Sequence, residues 1–242
     1  MSLIEQLQNF ETEGFAVLEA SDIEGRLSAD ARSEMPQVEE SFRHLVRDEQ
    51  MADGGTYRFR RYSRFLARMG ADGFQFTPLA GHSIYQEVRD NPLNGGVTRT
   101  FEPLAQELSD GHFLSSLMSV DAEVVAAHEP ELFEKDVVVG VHQVRIVARP
   151  DSQGMPTPEG VHRDAERYTF QHFWSRTGAD GGVFVAYDAQ KKERFRWLQQ
   201  NRLDSVIFKG TTWHSATPIV CESGAPEGYR DIFLIDFDLL GE

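Results

Sequence analysis

Cysteine is almost missing from this chain: Cys221 stands alone among 242 residues. An internal disulfide is therefore excluded, and a reducing cytoplasm is the expected location. Glu222 sits next to Cys221 and opposes a thiolate, so the thiol reads as a packed or exposed side chain rather than a nucleophile. Long apolar runs are missing too. No stretch nears the ~18 uncharged apolar residues of a membrane-spanning helix. The opening MSLIEQLQNFETEGF lacks the basic segment expected of a secretory signal. Cations are the third shortage, with 24 Lys and Arg against 39 Asp and Glu and a formal net charge of −15. General electrostatic binding to nucleic acid or to an anionic membrane needs the opposite balance, so neither partner is expected. An acidic protein can still hold an acidic small molecule through individually placed arginines.

What remains is an ordinary globular composition, 40% hydrophobic and 26% charged, with no repeat or linker. One domain over residues 1–242 is expected, and the sequence leaves a homo-oligomer open. Residues 1–13 predict a short amphipathic helix through Leu3, Leu7 and Phe10. Gly14 breaks it, and residues 15–18 predict a strand. Met35, Val38, Phe42, Leu45 and Val46 recur at helical spacing and predict a helix over about 29–48. Residues 57–65 alternate basic and aromatic side chains and predict a strand with a cationic face, either ion-paired or functional. Residues 99–135 predict mostly helix, broken near Asp110 and Gly111. Beyond them the texture turns β-branched, with strand-like runs over 137–148, 167–174, 182–187, 203–208 and 230–239 separated by turn-rich pieces. The expected fold is mainly β with flanking helices: a helical layer over about 1–135 packed on a jelly-roll core over about 137–240.

His162 and Asp164 lie two residues apart, and on an extended segment such residues share a face. His214, fifty residues on, lies in a polar stretch beside a predicted strand. Two imidazoles and one carboxylate can occupy one face of an octahedral ion and leave the opposite positions open, the arrangement diagnostic of non-haem Fe(II) oxygenases. Zinc held by the same residues is the alternative and favours hydrolysis. Arg230, sixteen residues after His214, opens the last long strand, and its guanidinium suits a bidentate clamp on a carboxylate. Of the eight histidines, His172 is the strongest rival ligand. In the strand over 137–148, Gln143 and Arg145 share one face and His142 takes the other; Gln143 and Arg145 are candidate pocket residues.

At these positions the chain resembles the bacterial 2-oxoglutarate/Fe(II) dioxygenases that include the L-isoleucine hydroxylases and other free-amino-acid hydroxylases. The resemblance spans most of the chain. It runs through Arg58-Phe59-Arg60-Arg61-Tyr62-Ser63-Arg64-Phe65, Asn94-Gly95-Gly96-Val97-Thr98-Arg99 and Pro158-Glu159-Gly160-Val161-His162-Arg163-Asp164. It continues through Gly181-Gly182, Trp213-His214-Ser215-Ala216-Thr217-Pro218-Ile219 and Gly228-Tyr229-Arg230-Asp231. It implies a double-stranded β-helix, a cupin-like jelly roll. It also implies iron ligation by His162, Asp164 and His214, with Arg230 on the distal carboxylate of 2-oxoglutarate. The implied reaction uses Fe(II), 2-oxoglutarate and O2 to hydroxylate an aliphatic C–H of a small molecule, a free L-amino acid by analogy, giving succinate and CO2. A zwitterionic substrate would need a cation for its carboxylate, from residues 58–64, Arg99 or Arg145. The carboxylate at Asp164 separates the chain from related halogenases, which have a small residue there. Ala165 stands where the family usually has Gly, and its extra methyl is expected to reshape the pocket wall and so bear on the choice of substrate. The rival readings are a non-catalytic metal-binding jelly roll with a stress or biofilm role, a zinc hydrolase, and a ligand-binding sandwich in which the three side chains would not meet.

Overall fold

The computed structural model describes Leu7, residues 10–88, Asn91 and residues 93–241. Strands are numbered in chain order. Seven form a large antiparallel sheet in the order β1 (Phe15–Leu18), β11 (Ser205–Lys209), β7 (Tyr168–Thr177), β14 (Gly228–Leu239), β6 (Val137–Ala148), β2 (Arg58–Gly70) and β3 (Gly73–Leu79). A smaller sheet pairs β10 (Glu193–Trp197), β9 (Phe184–Tyr187) and β12 (Trp213–Ala216). β8 (Ala179–Gly181) pairs with β13 (Ile219–Cys221), and β4 (Ser83–Tyr85) with β5 (Thr98–Thr100). This is the expected mainly β jelly roll. Among the described residues no helix is long and apolar enough to cross a membrane.

Residue parity assigns each side chain of the large sheet to a layer, because successive strand residues point to opposite faces. Val139 and Val141 of β6, Phe233, Ile235 and Phe237 of β14, and Phe170 and Trp174 of β7 turn toward the helices. There they pack on Phe113, Leu114, Leu117 and Val125 of the helix His112–His128 and on Phe42. Each such fully buried side chain contributes about 1.5–3 kcal/mol of transfer free energy. The other face looks into the barrel. It carries Arg58 and Arg60 of β2, His142, Val144 and Ile146 of β6, Ile232, Leu234 and Asp236 of β14, and Thr169 and Gln171 of β7. β6 is buried on both faces, which is why its β-branched run reads as nearly continuous.

Three expectations need correction. The helix expected over 29–48 is two helices, Ala29–Ser33 and Met35–Ser41, with a 3₁₀ turn at Phe42–His44. Beyond it the chain runs extended along β2: Arg60 N–H donates to Val46 C=O and Asp48 N–H to Arg58 C=O, so edge pairing overrides the helical spacing of Leu45 and Val46. The region expected to be helical over 99–135 begins with strand β5, and helix starts only at Gln106. The break at 110–111 is real. Gly111 offers no side-chain cap, and Glu34, between the two short helices, accepts from Phe113 N–H at 2.7 Å instead. Nor are residues 1–135 purely a helical layer, since β1, β2 and β3 belong to the large sheet. Of the helix expected over 1–13, Phe10–Glu13 is helical; residues 1–6, 8 and 9 lie outside the described residues.

Candidate active site

His162 stands on a loop, not on a continuous strand. One antiparallel bridge ties it to β12: His162 N–H donates to His214 C=O at 3.0 Å, and His214 N–H donates to His162 C=O at 2.9 Å. This places the two imidazoles side by side, with centroids 4.4 Å apart. Asp164 closes the group, its Oδ1 3.3 Å from His162 Nε2 and its Oδ2 3.7 Å from His214 Nε2. One potential donor atom from each of the three lies within 4.8 Å of the others.

Both rings are oriented by main-chain oxygens two residues back. His162 Nδ1 lies 3.0 Å from Gly160 O, and His214 Nδ1 lies 3.1 Å from Thr212 O. Donation from each Nδ1–H to these oxygens leaves both Nε2 atoms turned toward Asp164. Phe208 packs against the His214 ring at 4.3 Å between centroids, and Phe184 lies parallel at 6.1 Å. Electrostatics inside the group are strong. Burial opposes charge on His162, but its hydrogen bond to Asp164 and the charges of Asp164 and Glu159 prevail, raising it to about 9. Burial lowers His214 to about 4, with the charge of His162 adding and that of Asp164 opposing. Asp164 resists its own burial and is held at about 2 by His214 and His162. Two imidazole nitrogens and a carboxylate that converge this way are a donor set that fits Fe(II), which would displace the proton His162 shares with Asp164.

Arg230, fully buried on β14, stands opposite Ile146 and so shares the barrel-facing side of the sheet with Ile232 and Leu234. Its Nη2 donates to Gln199 Oε1 at 2.7 Å, while Nε and Nη1 have no partner. Gln199 is fixed in turn: its Nε2 donates to Asp204 O at 2.6 Å and Gln171 O at 2.9 Å, and its Oε1 also accepts from Gln171 Nε2 at 2.6 Å. Burial lowers the Arg230 guanidinium to about 9, and nearby Arg176 adds to the effect. A buried cation with two idle donors is suited to an incoming carboxylate. Gly182 gives it room. At φ +70° it adopts the left-handed region, and a Cβ there would lie 2.5 Å from Arg230 Cδ.

The remaining expectations divide. Arg99, on β5, lines the cavity that contains His162, Asp164 and His214. Gln143 and Arg145 do not. Parity turns them to the helical face, where Gln143 Nε2 donates to Ser41 Oγ at 2.6 Å. Arg145 grips Asp231 with two hydrogen bonds of 2.7 and 2.8 Å and covers the Tyr229 ring. His172, the rival ligand, is on that face too, fully buried between Ser205 Oγ at 2.7 Å and Asp121 Oδ2 at 2.9 Å. Ala165 is exposed and borders an outer cleft with Arg163 and Lys209, so its methyl is no part of the cavity wall. Sequence reasoning missed Gln199, which holds Arg230, Gln171, which steadies Gln199, and Glu159, whose Oε1 is 3.3 Å from His162 Nε2 and whose buried Oε2 has no partner.

The profile of the family described as 2OG-Fe dioxygenase matches residues 39–236. An L-isoleucine-4-hydroxylase from Bacillus thuringiensis is 25% identical over 238 residues, 98% of this chain and 95% of that protein. Among solved structures, IDO from Bacillus thuringiensis superposes with a TM-score of 0.80 at 21% identity, covering 98% of this chain and 99% of that one. A bsmA homologue from Methylobium petroleophilum PM1 superposes at 0.86 and 25% identity, covering 99% and 94%.

Proposed function

This chain belongs to the 2OG-Fe dioxygenase family, and on that premise we propose that it hydroxylates an aliphatic C–H of a free L-amino acid, with His162, Asp164 and His214 as the iron ligands. It is a non-haem dioxygenase that uses Fe(II), 2-oxoglutarate and O2. The observation that carries the residue assignment is the meeting of two imidazoles and one carboxylate in the same interior as a buried arginine with two unpartnered nitrogens. When bound, Fe(II) supplies the oxidising chemistry: 2-oxoglutarate and O2 are consumed together, succinate and CO2 leave, and an oxygen atom enters the substrate.

The protein's own part is positional. The bonds from Nδ1 to Gly160 and Thr212 hold both imidazoles in the ligating orientation. Arg230, steadied by Gln199, takes the distal carboxylate of 2-oxoglutarate. Val144, Ile146, Ile232 and Leu234 form an apolar wall that excludes water and orients an aliphatic chain. Glu159 Oε2, buried and without a partner, suits an ammonium group. The relative named for L-isoleucine hydroxylation supports an amino acid as the substrate class. A reducing cytoplasm agrees with the lone Cys221.

The test is anaerobic addition of Fe(II) and 2-oxoglutarate, read by the weak visible charge-transfer band, followed by an aerobic screen of L-amino acids. We expect succinate release coupled to a substrate product heavier by one oxygen. Coupled turnover confined to substrates that are not amino acids would reject the substrate class and keep the dioxygenase.

A further inference from the structure

Three buried guanidinium groups that the iron and 2-oxoglutarate assignments leave unused line the cavity: Arg58, Arg60 and Arg99, exposed by 9%, 7% and 4%. Each keeps an unpartnered Nε. Their other contacts are few. Arg58 Nη2 donates to Pro156 O at 2.7 Å, Arg99 Nη2 to Gln86 Oε1 at 2.7 Å, and Arg60 Nη2 lies 3.1 Å from Asp48 Oδ2. Asp48 is the only carboxylate paired with any of the three among the described residues. Arg60 lies over the Phe101 ring at 3.7 Å, Arg99 is 5.8 Å from the same ring, and both side chains line the one cavity. Burial lowers Arg60 to about 9; the charge of Asp48 opposes this, and those of Arg58 and Arg99 add to it. Buried cations that repel one another and keep idle donors are costly unless an anion joins them.

That anion is not the distal carboxylate assigned to Arg230. In the sheet register Arg58 and Arg230 both stand opposite Ile146, on the two strands that flank β6. Their backbones are therefore two strand spacings apart, roughly 10 Å. The apolar side chains of Val144 and Ile146 occupy the ground between.

We propose that Arg58, Arg60 and Arg99 receive the carboxylate of the substrate, so that the substrate's aliphatic end lies toward His162 and His214. The proposal rests on reading this cavity as a dioxygenase site and adds to it a second anion site and a direction for the substrate. Oxidation then falls at a carbon remote from the carboxylate. Arg99 and Ile84 line the cavity from the β4–β5 pair, so a bound carboxylate also ties that pair to the site.

The test is calorimetry on protein loaded with Zn(II) and 2-oxoglutarate, which cannot turn over. The probes are aliphatic L-amino acids, their carboxamides and the matching 2-hydroxy acids. We expect the acids to bind and each carboxamide to bind about 30-fold more weakly or not at all, the change that about 2 kcal/mol produces. Arg99→Met should weaken the acids by a similar factor while the affinity for 2-oxoglutarate stays as in the wild type. Equal binding of acid and carboxamide by the unaltered protein overturns the proposal even if the variant does not fold. Unweakened acid binding by folded Arg99→Met also overturns it. If 2-hydroxy acids bind through Arg99 and amino acids do not, the clamp stands and the amino-acid reading falls. If amino acids bind without regard to Arg99 or to their carboxylate, the reverse holds.

Discussion

His162 and His214 exchange both of their main-chain hydrogen bonds, at 3.0 and 2.9 Å, and this reciprocal pair joins a loop to β12. The imidazoles are neighbours because their backbones are paired, so their proximity needs no ion. Only Asp164 reaches the centre by its side chain alone, with Thr169 Oγ1 3.5 Å from its Oδ2.

Asp164→Ala should therefore leave the fold and the histidine pair in place while removing one ligand. We expect loss of stoichiometric Fe(II) after anaerobic reconstitution and loss of substrate-dependent succinate release, with an unchanged circular dichroism spectrum. Full turnover by the variant would strike Asp164 from the ligand set.

Arg230→Ala should weaken 2-oxoglutarate by about 30-fold or more, since breaking a buried charge-assisted pair costs about 2–5 kcal/mol. Gly182→Ala should act in the same direction without touching the charge, because its methyl would displace the Arg230 side chain. Both are read as the dissociation constant of 2-oxoglutarate under anaerobic conditions. Unaltered affinity in Arg230→Ala would end its role.

His142 supplies a pH signature. It faces the cavity side of β6, 3.3 Å from Asp236, with its ring 4.3 Å from that of Tyr62. Burial lowers its pKa below the ordinary imidazole value, Arg60 and Arg99 add to this, and Asp236 opposes. The folded chain thus favours neutral His142. This part of the stability is complete above pH ~6.5 and is lost as pH falls from there toward the folded-state value, at no more than about 1.4 kcal/mol per pH unit. Urea unfolding of the metal-free protein across that range should show a shallower slope for His142→Gln than for the wild type. Identical slopes would remove His142 as the source.

The pair His172–Asp121 is structural, and its removal should separate stability from function. Asp121→Ala leaves a buried His172 nitrogen without its hydrogen-bond partner and should cost about 1–3 kcal/mol in denaturant unfolding. Iron and 2-oxoglutarate affinities of the remaining folded protein should be unchanged. A selective loss of iron binding would reinstate His172 near the metal.

Much of this was legible because of where the information lies along the chain. Strands β1 and β6 have the bounds expected from their β-branched runs, and β14 begins two residues before the expected start. The separation of Gln143 and Arg145 from His142 by alternation was also right. What alternation cannot supply is which face meets the cavity. That depends on the helix His112–His128 covering the odd-numbered side of β6, a contact between distant segments. The two-residue spacing of His162 and Asp164 suggested a strand, whereas an isolated bridge to His214 does the work. Gln199 gave no signal at all. A glutamine becomes an arginine's partner only through surroundings, here Gln171 and Asp204, that no local pattern records.

The reciprocal backbone pairing of the two histidines carries a cost in selectivity. A cage assembled before any metal arrives cannot use its own folding to reject an unsuitable ion. For nitrogen and oxygen donors, Co(II), Ni(II) and Cu(II) outrank Fe(II) in intrinsic affinity, and Zn(II) takes the same imidazoles readily. Protein purified under metal-rich aerobic conditions should therefore carry a mixture of inactive ions. Stripping with a chelator and reloading with Fe(II) should restore it, so correct metallation falls to the supply of iron around the protein rather than to the shape of its site.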